Sequence, residues 1–277
     1  MSPAGGAAEH DGVRARDLAD RLAAVRARIA AAAAAAGRTA PELIVVTKFF
    51  PAADVRILAG LGVGDVGENR DQEAAAKAAD LGDLDLRWHF IGQLQTNKAK
   101  SVVRYAHSVH SVDRPALVGA LAKAMAAEQG RRAAEGLPDR PDLECFLQFT
   151  LDARHQPVDQ HAADAPGNPP AGPPAGTGSR TADRGGALPA DAVDLARAVS
   201  ATAGLRLAGV MGVAPLGADP AEAFGRLLRI SEAVRAVDPS ASAVSAGMSG
   251  DLEAAVAAGA THLRIGSDVL GPRPAVG

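Results

Sequence analysis

The sequence predicts an α/β protein built as a single (β/α)8 TIM barrel. Short apolar segments alternate with segments of helix length along almost all of the chain, a pattern that is typical of a parallel sheet. Eight such units in 277 residues favour a closed barrel. An open, doubly wound sheet is the alternative.

An additional helix is predicted over residues 17–36, before the first strand, and Gly37 ends it. Its apolar residues recur at spacings of three and four, at Leu18, Leu22, Val25 and Ile29. The predicted strands are 42–47, 63–67, 87–91, 107–112, 143–151, 205–213, 242–246 and 261–265. The predicted barrel helices lie near 52–60, 70–80, 95–104, 114–129, 190–203, 219–237 and 250–258.

Two segments fall outside this alternation. Residues 1–16 are rich in Ala, Gly and charge and are expected to be disordered. Residues 154–186 are rich in Pro and Gly with almost no large apolar side chain, which predicts a disordered insertion. Because strand and helix alternate again after the insertion, we expect one barrel domain over 17–277.

Composition argues against several classes of protein. A net charge of −3 gives no reason to expect nucleic acid or an anionic membrane as a partner. Cys145 is the only cysteine and is expected to be a small buried apolar residue.

His107 and His110 are three apart on a strand, so they should face opposite sides, and we predict no metal site. Residues 1–20 contain no apolar signal segment, so a soluble, cytoplasmic protein is expected.

The first predicted strand ends at a lysine, Lys48, in the run Glu42-Leu-Ile-Val-Val-Thr-Lys48. A lysine among apolar neighbours is partly desolvated, which disfavours its charged form and makes the amine available as a nucleophile. Such an amine can form a Schiff base with an aldehyde, pyridoxal phosphate (PLP) above all. The alternative is an ordinary solvated lysine at a strand end.

Polar residues also follow the second and third strands. Gly67-Glu68-Asn69-Arg70 ends the second strand, where barrel enzymes place site residues. Asn69 could donate to a cofactor hydroxyl or could instead cap the next helix. His89 lies inside the third strand, and a hydrogen-bonded core histidine is the preferred interpretation.

The last two strands are followed by turns rich in small residues. Ser245-Ala-Gly-Met-Ser249-Gly-Asp251 leads into a helix, with Ser249 at the expected N-cap, and Arg264-Ile-Gly266-Ser267 ends the eighth strand. Turns of this kind expose backbone N–H groups that suit a phosphate. Barrels often bind phosphate at these two loops, and closure would place the loops beside Lys48.

These motifs together resemble the YggS/PLPBP family of pyridoxal phosphate homeostasis proteins. The matching segments run through nearly the whole chain, except for the N-terminus and the insertion. The matching segments are Val46-Thr-Lys48, Asp65-Val-Gly-Glu-Asn69, Trp88-His-Phe-Ile-Gly-Gln-Leu-Gln-Thr-Asn-Lys98, His110-Ser-Val-Asp113, Gly247-Met-Ser249 with Asp251, and Arg264-Ile-Gly266. Departures from the family pattern are Arg70, where an aromatic is frequent, Ser245-Ala246 in place of Ser-Met, and the long insertion.

The resemblance implies a barrel like the N-terminal domain of alanine racemase, with PLP as cofactor. It implies that Lys48 carries PLP as an internal aldimine and that Asn69 lies near the cofactor ring. It further implies that Ser249, Gly266 and Ser267 bind the phosphate and that Arg264 faces the pyridine nitrogen.

The implied function is PLP homeostasis, with an indirect effect on amino-acid and keto-acid balance, and without dedicated catalysis. A guanidinium stays protonated, so a ring nitrogen facing Arg264 remains unprotonated and the ring is a weaker electron sink. Racemases of similar fold use a lysine and a tyrosine from a second domain as two bases. Tyr105 is the only tyrosine. It should lie at the opposite barrel face, and too little chain follows Leu270 for a second domain.

Two alternatives stay open: a weak monomeric PLP-dependent racemase or lyase that uses Lys48 and water, and a purely structural barrel with an unmodified Lys48. The expected partners are PLP and, as candidates, PLP-dependent apoenzymes, with no nucleic acid and no membrane. The protein is expected to be a monomer.

Overall fold

The computed structural model describes residues 3–155 and 185–273. A closed barrel of parallel strands, arranged in sequence order, forms its centre. The strands are β1 (Glu42–Val46), β2 (Asp65–Glu68), β3 (Arg87–Phe90), β4 (Ala106–Val112), β5 (Leu143–Gln148), β6 (Leu205–Met211), β7 (Ala243–Ser245) and β8 (His262–Ile265). β1 pairs with both β2 and β8, so the predicted closed barrel is confirmed and the open sheet is wrong.

Helices surround the barrel and connect its strands. They are α1 (Pro3–Ala35), α2 (Ala52–Gly60), α3 (Asp71–Asp80), α4 (Ala99–Val102), α5 (Pro115–Ala134), α6 (Ala192–Ser200), α7 (Pro220–Val237), α8 (Leu252–Ala258) and α9 (Ser267–Leu270). None of the helices within 3–155 and 185–273 is long and apolar enough to cross a membrane.

The strands have apolar side chains on the face that meets the helices and a more polar face toward the barrel axis. Val45, Val66 and Cys145 belong to the large outer core, so Cys145 is buried as predicted. A separate, small apolar cluster of Phe146, Ala208 and Met211 lies apart from that core. Buried polar side chains occupy much of the remaining interior, so the barrel axis is where polar chemistry is concentrated.

A register shift in β4 changes the direction of its histidines. Trp88 pairs with Ala106 but His89 pairs with Ser108, so one extra residue is accommodated at His107. A bulge of this kind resets the alternation of side chains between the two faces. The His107 and His110 rings both lie within 6 Å of the His89 ring, at 5.9 and 5.2 Å. The prediction that the two histidines face opposite sides is therefore wrong.

The first helix begins at Pro3, whereas the sequence predicted disorder through residue 16 and a helix from Asp17. Arg14 explains part of the difference. Its guanidinium donates to both carboxylate oxygens of Asp54, at 3.1 and 2.7 Å, and to the carbonyl of Leu270 at 3.1 Å. These contacts tie α1 to α2 and to the end of the barrel, and composition alone does not reveal them.

The predicted insertion at 154–186 lies almost entirely outside the described residues, so its disorder stays a prediction. The residues on either side of it contact each other. Ala187 forms a parallel bridge with Phe149, and its N–H donates to the carbonyl of Gln148 at 2.8 Å. The insertion therefore leaves and rejoins the barrel beside the end of β5.

Arg14 gives a test of how strongly the start of α1 is attached. We expect Arg14→Ala to lower the free energy of unfolding by about 1–3 kcal/mol, because it leaves the buried Asp54 carboxylate without its charged partner. Arg16→Ala is the matched control, since Arg16 is exposed on the same helix, and its effect should stay within about 0.5 kcal/mol. Urea denaturation of the three proteins measures the difference. Equal stability of both variants would contradict the anchoring role.

Candidate functional site

Lys48 lies two residues beyond the end of β1, at the C-terminal mouth of the barrel. The Thr47 N–H donates to the carbonyl of Gly67 at 3.0 Å, and the Phe50 N–H donates to the carbonyl of Thr47 at 3.1 Å. Phe49 has a φ of 73°, a left-handed conformation that is unfavourable for a bulky residue. The chain therefore turns sharply after Lys48, which leaves this side chain half-buried at the mouth.

A buried ionic cluster outside the barrel wall holds this turn. Lys77 Nζ lies 2.7 Å from Glu68 Oε1 and 2.7 Å from Glu73 Oε1, and it donates to the carbonyl of Thr47 at 2.9 Å. The Thr47 hydroxyl donates to Glu68 at 2.7 Å, and Glu73 accepts from the Phe49 N–H at 2.6 Å. The backbone on both sides of Lys48 is thus fixed by the same cluster.

The environment of Lys48 disfavours its charged form, as predicted from its strand-end position. Burial, followed by the positive charge of Arg273, lowers the pKa of Lys48, and Arg70 acts in the same direction while Glu68 opposes it. The guanidinium groups of Arg70 and Arg273 both lie over the Phe49 ring, 5.0 and 4.7 Å from its centroid. Phe49 therefore keeps two exposed cations beside the amine through cation–π contacts.

Asn69 ends β2 and comes from the strand next to β1. Its side-chain oxygen is buried and has no hydrogen-bond partner among the described residues. The helix α3 has its N-cap at Arg70, so the alternative role of Asn69 as the cap is wrong. Gly92 allows the β3 loop to approach closely, because a Cβ there would lie 2.3 Å from the Asn69 carbonyl. A buried amide oxygen without a partner is suited to a ligand group.

The two predicted phosphate loops meet. The hydroxyls of Ser249 and Ser267 are 3.3 Å apart, although they belong to different βα units. The cap of α8 is Asp251, which accepts from the Met248 N–H at 2.6 Å, so Ser249 is not the N-cap that the sequence predicted. At Gly266 a Cβ would lie 3.2 Å from the carbonyl of Val46. The absence of a side chain at Gly266 thus lets the loop after β8 lie close to the end of β1.

Arg28 of α1 ties these loops together and was not predicted as a functional residue. It donates to the carbonyl of Ser249 at 2.9 Å and to Asp268 at 3.0 Å, and it also pairs with Glu253. The only sequence signal is its place beside the apolar positions Val25 and Ile29. The apolar spacing predicts that the helix packs on the barrel, but it does not predict which residues Arg28 contacts.

Arg264 is buried in the barrel interior, on β8. One of its terminal nitrogens donates to the Ser245 hydroxyl at 2.7 Å and the other donates to the carbonyl of Gly212 at 3.0 Å. Burial lowers the pKa of Arg264 to about 10, so the group is still protonated at neutral pH. The structure therefore has a buried, positively charged guanidinium on β8, inside the barrel.

His89 is a buried, hydrogen-bonded core histidine, as the preferred interpretation held. Its Nε2 lies 2.8 Å from Asp65, and its Nδ1 faces both Ser108 and His110. Burial lowers the pKa of His89 and, more strongly, that of His110. In the part of the chain that the structure describes, no group of three or more His, Cys, Asp or Glu side chains is arranged to hold a metal ion.

Tyr105 directly precedes β4, as predicted. Its hydroxyl, however, reaches Asp71 at the start of α3, at a distance of 3.4 Å, and its ring packs against the outer core. Burial and the Asp71 charge raise the pKa of Tyr105, so the phenol stays neutral. The hydroxyl thus reaches the C-terminal side of the barrel, where α3 begins after β2, so the prediction that Tyr105 lies at the opposite face is wrong for its hydroxyl.

Fold and site together define a (β/α)8 barrel with a half-buried amine, a pair of hydroxyls from two loops and a buried guanidinium at adjacent strand ends. The chain is 42% identical to the pyridoxal phosphate homeostasis protein of Mycobacterium tuberculosis, and the match covers 94% of each chain. The chain therefore belongs to the family of pyridoxal phosphate homeostasis proteins. No protein-family model matches it.

Solved structures agree with this assignment. PipY of Synechococcus elongatus, solved with PLP bound, is 30% identical to this chain, with a TM-score of 0.68 over 92% of it and 100% of PipY. Alanine racemase of Corynebacterium glutamicum is only 13% identical. Its TM-score of 0.59 covers 92% of this chain and 60% of the racemase, which shows a shared barrel fold alone.

The charges around Lys48 give a second prediction. We expect the double variant Arg70→Gln, Arg273→Gln to raise the pKa of Lys48, because two cations that disfavour a third positive charge are removed. The pKa can be followed by NMR of isotopically methylated lysines, with Lys48→Arg to assign the signal. Arg229→Gln, on the exposed face of α7, is a control with the same kind of charge change. A Lys48 signal that titrates identically in all of these proteins would contradict the effect of the two arginines.

Proposed function

We propose that this chain binds PLP at the C-terminal mouth of its barrel, through Lys48, and serves PLP homeostasis without dedicated catalysis. The observation that carries the proposal is the donor set at adjacent strand ends. Lys48 follows β1, Asn69 follows β2 and Gly266 follows β8, and β1 pairs with both neighbours. The PLP named in the PipY structure supports the same choice of ligand.

The residues present fit the chemical groups of this cofactor. An amine with a lowered pKa suits an aldehyde. The Ser249 and Ser267 hydroxyls, with the backbone at Gly266, suit a phosphate. The buried side-chain oxygen of Asn69, which has no partner among the described residues, could accept a hydrogen bond from a hydroxyl on the cofactor ring. Arg264, already held by Ser245 and Gly212, would offer a remaining N–H to the ring nitrogen.

When bound, PLP supplies an aldehyde that reacts with amines and a ring that can accept electrons. The role of Arg264 follows from its charge. Since the guanidinium keeps its protons at neutral pH, it can donate a hydrogen bond to the ring nitrogen but does not give up a proton to it. The ring then accepts electrons less readily than a protonated one. This limits carbanion chemistry and is consistent with a carrier.

The alternative is a weak racemase or lyase. A racemase of this fold needs a second base opposite the lysine, and the neutral hydroxyl of Tyr105 is bonded to Asp71, with its ring packed against the outer core. Lys48 with water is then the remaining route. We further propose that the protein transfers PLP to apoenzymes, is a monomer and is located in the cytoplasm. Arg70 and Arg273 beside Lys48 are exposed, so a partner protein can contact this region.

Chemical trapping tests the lysine. After PLP loading and borohydride reduction, we expect the pyridoxyl mass on the peptide that contains Lys48, because this amine combines partial burial with a lowered pKa. Lys48→Ala should lose the label and the visible absorption band, whereas Lys123→Ala should keep both. Peptide mass spectrometry provides the measurement. A label found mainly on Lys98 or Lys123 of the wild type would overturn the assignment.

A binding comparison tests the phosphate loops. We expect Ser249→Ala and Ser267→Ala each to weaken PLP retention, and the double variant to weaken it further, since each hydroxyl bonded to an anion contributes about 1.5–3 kcal/mol. Ser200→Ala on α6 serves as the control. Equilibrium dialysis with PLP and with pyridoxal gives the affinities, and pyridoxal should bind far less well. Equal affinity for the two compounds would rule out a phosphate site here.

A further inference from the structure

A continuous line of buried polar side chains crosses the barrel interior behind Arg264. It passes from β8 through β7, β4 and β3 to β2, and its consecutive contacts lie between 2.7 and 3.0 Å. Each member is at most 8% exposed. We call this line the relay; its members are Arg264, Ser245, His110, His89 and Asp65, with Ser108 bridging the two histidines.

The Arg264 end fixes the direction of the first hydrogen bond in the relay. A guanidinium only donates, so Ser245 Oγ accepts from it at 2.7 Å. The Ser245 hydroxyl proton is then free for its other neighbour, Nδ1 of His110, at 3.0 Å. It is donated there if His110 Nδ1 is an acceptor, which is the form of a neutral His110 with its proton on Nε2.

The Asp65 end leads independently to a complementary result. Burial alone would raise the pKa of Asp65, but hydrogen bonds from His89 and Arg87 outweigh it and lower the pKa to about 2. The carboxylate is thus ionised and accepts from His89 Nε2 at 2.8 Å. A neutral His89 then has a bare lone pair at Nδ1, 3.0 Å from His110 Nε2. Two bare ring nitrogens at this distance would repel, so His110 carries its proton on Nε2 and accepts at Nδ1.

The surroundings keep both histidines neutral. Phe146 stacks on His110 with ring centroids 4.0 Å apart and excludes water from one side. A protonated His110 would turn an N–H toward Ser245 and put a second positive charge next to Arg264. The other titratable side chains near the relay are each paired with a carboxylate: His107 and Arg206 with Glu144, His262 with Glu42, and Arg87 with Asp65 of the relay itself.

We propose that Ser245, His110 and His89 are positioning residues, which fix the orientation of Arg264 through a hydrogen-bond relay of set direction. This inference rests on the proposed function, in which Arg264 meets the ring nitrogen of PLP. The Nε2–H form of His110 takes the Ser245 hydroxyl proton at its Nδ1, which leaves the lone pairs of Ser245 to face Arg264. The relay thereby holds the guanidinium in one orientation before any cofactor binds.

The relay itself is tested in the full-length protein without PLP. Nitrogen-15 NMR of labelled histidine distinguishes the two neutral forms and the imidazolium. We expect His89 and His110 to be neutral and protonated at Nε2 from mildly acidic to mildly alkaline pH, with His89→Gln and His110→Asn used to assign the signals. An Nδ1–H form of His110, or an imidazolium at either position, would overturn the relay whether or not the protein binds PLP.

The effect on Arg264 is tested with PLP labelled at the ring nitrogen. In the wild type we expect the signal of an unprotonated, hydrogen-bonded pyridine that does not change with pH. Ser245→Ala and His110→Leu should shift this signal toward that of free PLP and make it pH-dependent, because Arg264 loses its orientation. His110→Asn, which keeps an acceptor toward Ser245, should restore most of the wild-type signal.

Ser111→Ala is the matched control. Ser111 is also a fully buried serine, next to His110, and its hydroxyl has no partner among the described residues, so this variant should behave like the wild type. Unchanged ring-nitrogen signals in Ser245→Ala and His110→Leu would refute the positioning role while PLP binding stands. A wild-type protein that takes up no PLP contradicts the proposed function instead, and the histidine spectra still decide whether the relay exists.

Discussion

The pairing of β1 with β8 is the contact on which the site depends. The two strands are joined in register, with Ile44 opposite Arg264 and Val45 opposite Ile265. Parallel strands in this register bring their C-terminal ends to the same rim of the barrel. Lys48, more than two hundred residues before Ser267 in the chain, thus comes to lie next to the loop that begins α9. Without closure the amine, the hydroxyls and the guanidinium would belong to opposite edges of a sheet.

Two buried polar networks lie on opposite sides of the barrel wall near this closure. Outside the wall, Lys77 joins Glu68 and Glu73 and holds the backbone around Lys48. Inside it, the relay holds Arg264. Buried charges and polar groups destabilise a protein when they lose a partner. The outer network therefore restricts the backbone around Lys48, and the inner one restricts the Arg264 guanidinium, to a narrow range of positions. The positions of Lys48 and Arg264 therefore depend on the side chains buried behind them.

Several features of the site could be read from the sequence because they depend on short stretches of chain. The run from Glu42 to Lys48 predicts a strand that ends in a partly desolvated lysine. In the structure the strand ends at Val46, and Lys48 is half-buried two residues later. The turns after β7 and β8 were recognisable from their small residues, and their serines meet. The predicted N-cap at Ser249 was wrong, and the alternative that Asn69 caps a helix was also wrong. In both places the cap belongs to a neighbouring residue whose backbone geometry the sequence does not reveal.

The sequence by itself determined the alternation of strands and helices, the barrel that follows from it, and the residue types at the strand ends. The tertiary structure alone decided which distant groups meet. Arg14 and Arg28 find partners tens to hundreds of residues away, and the bulge at His107 turns two histidines toward one interior. The physical reason is that periodicity records which face of an element is apolar. The partner of a buried polar group depends on strand register and on the packing of whole elements, which no local pattern specifies.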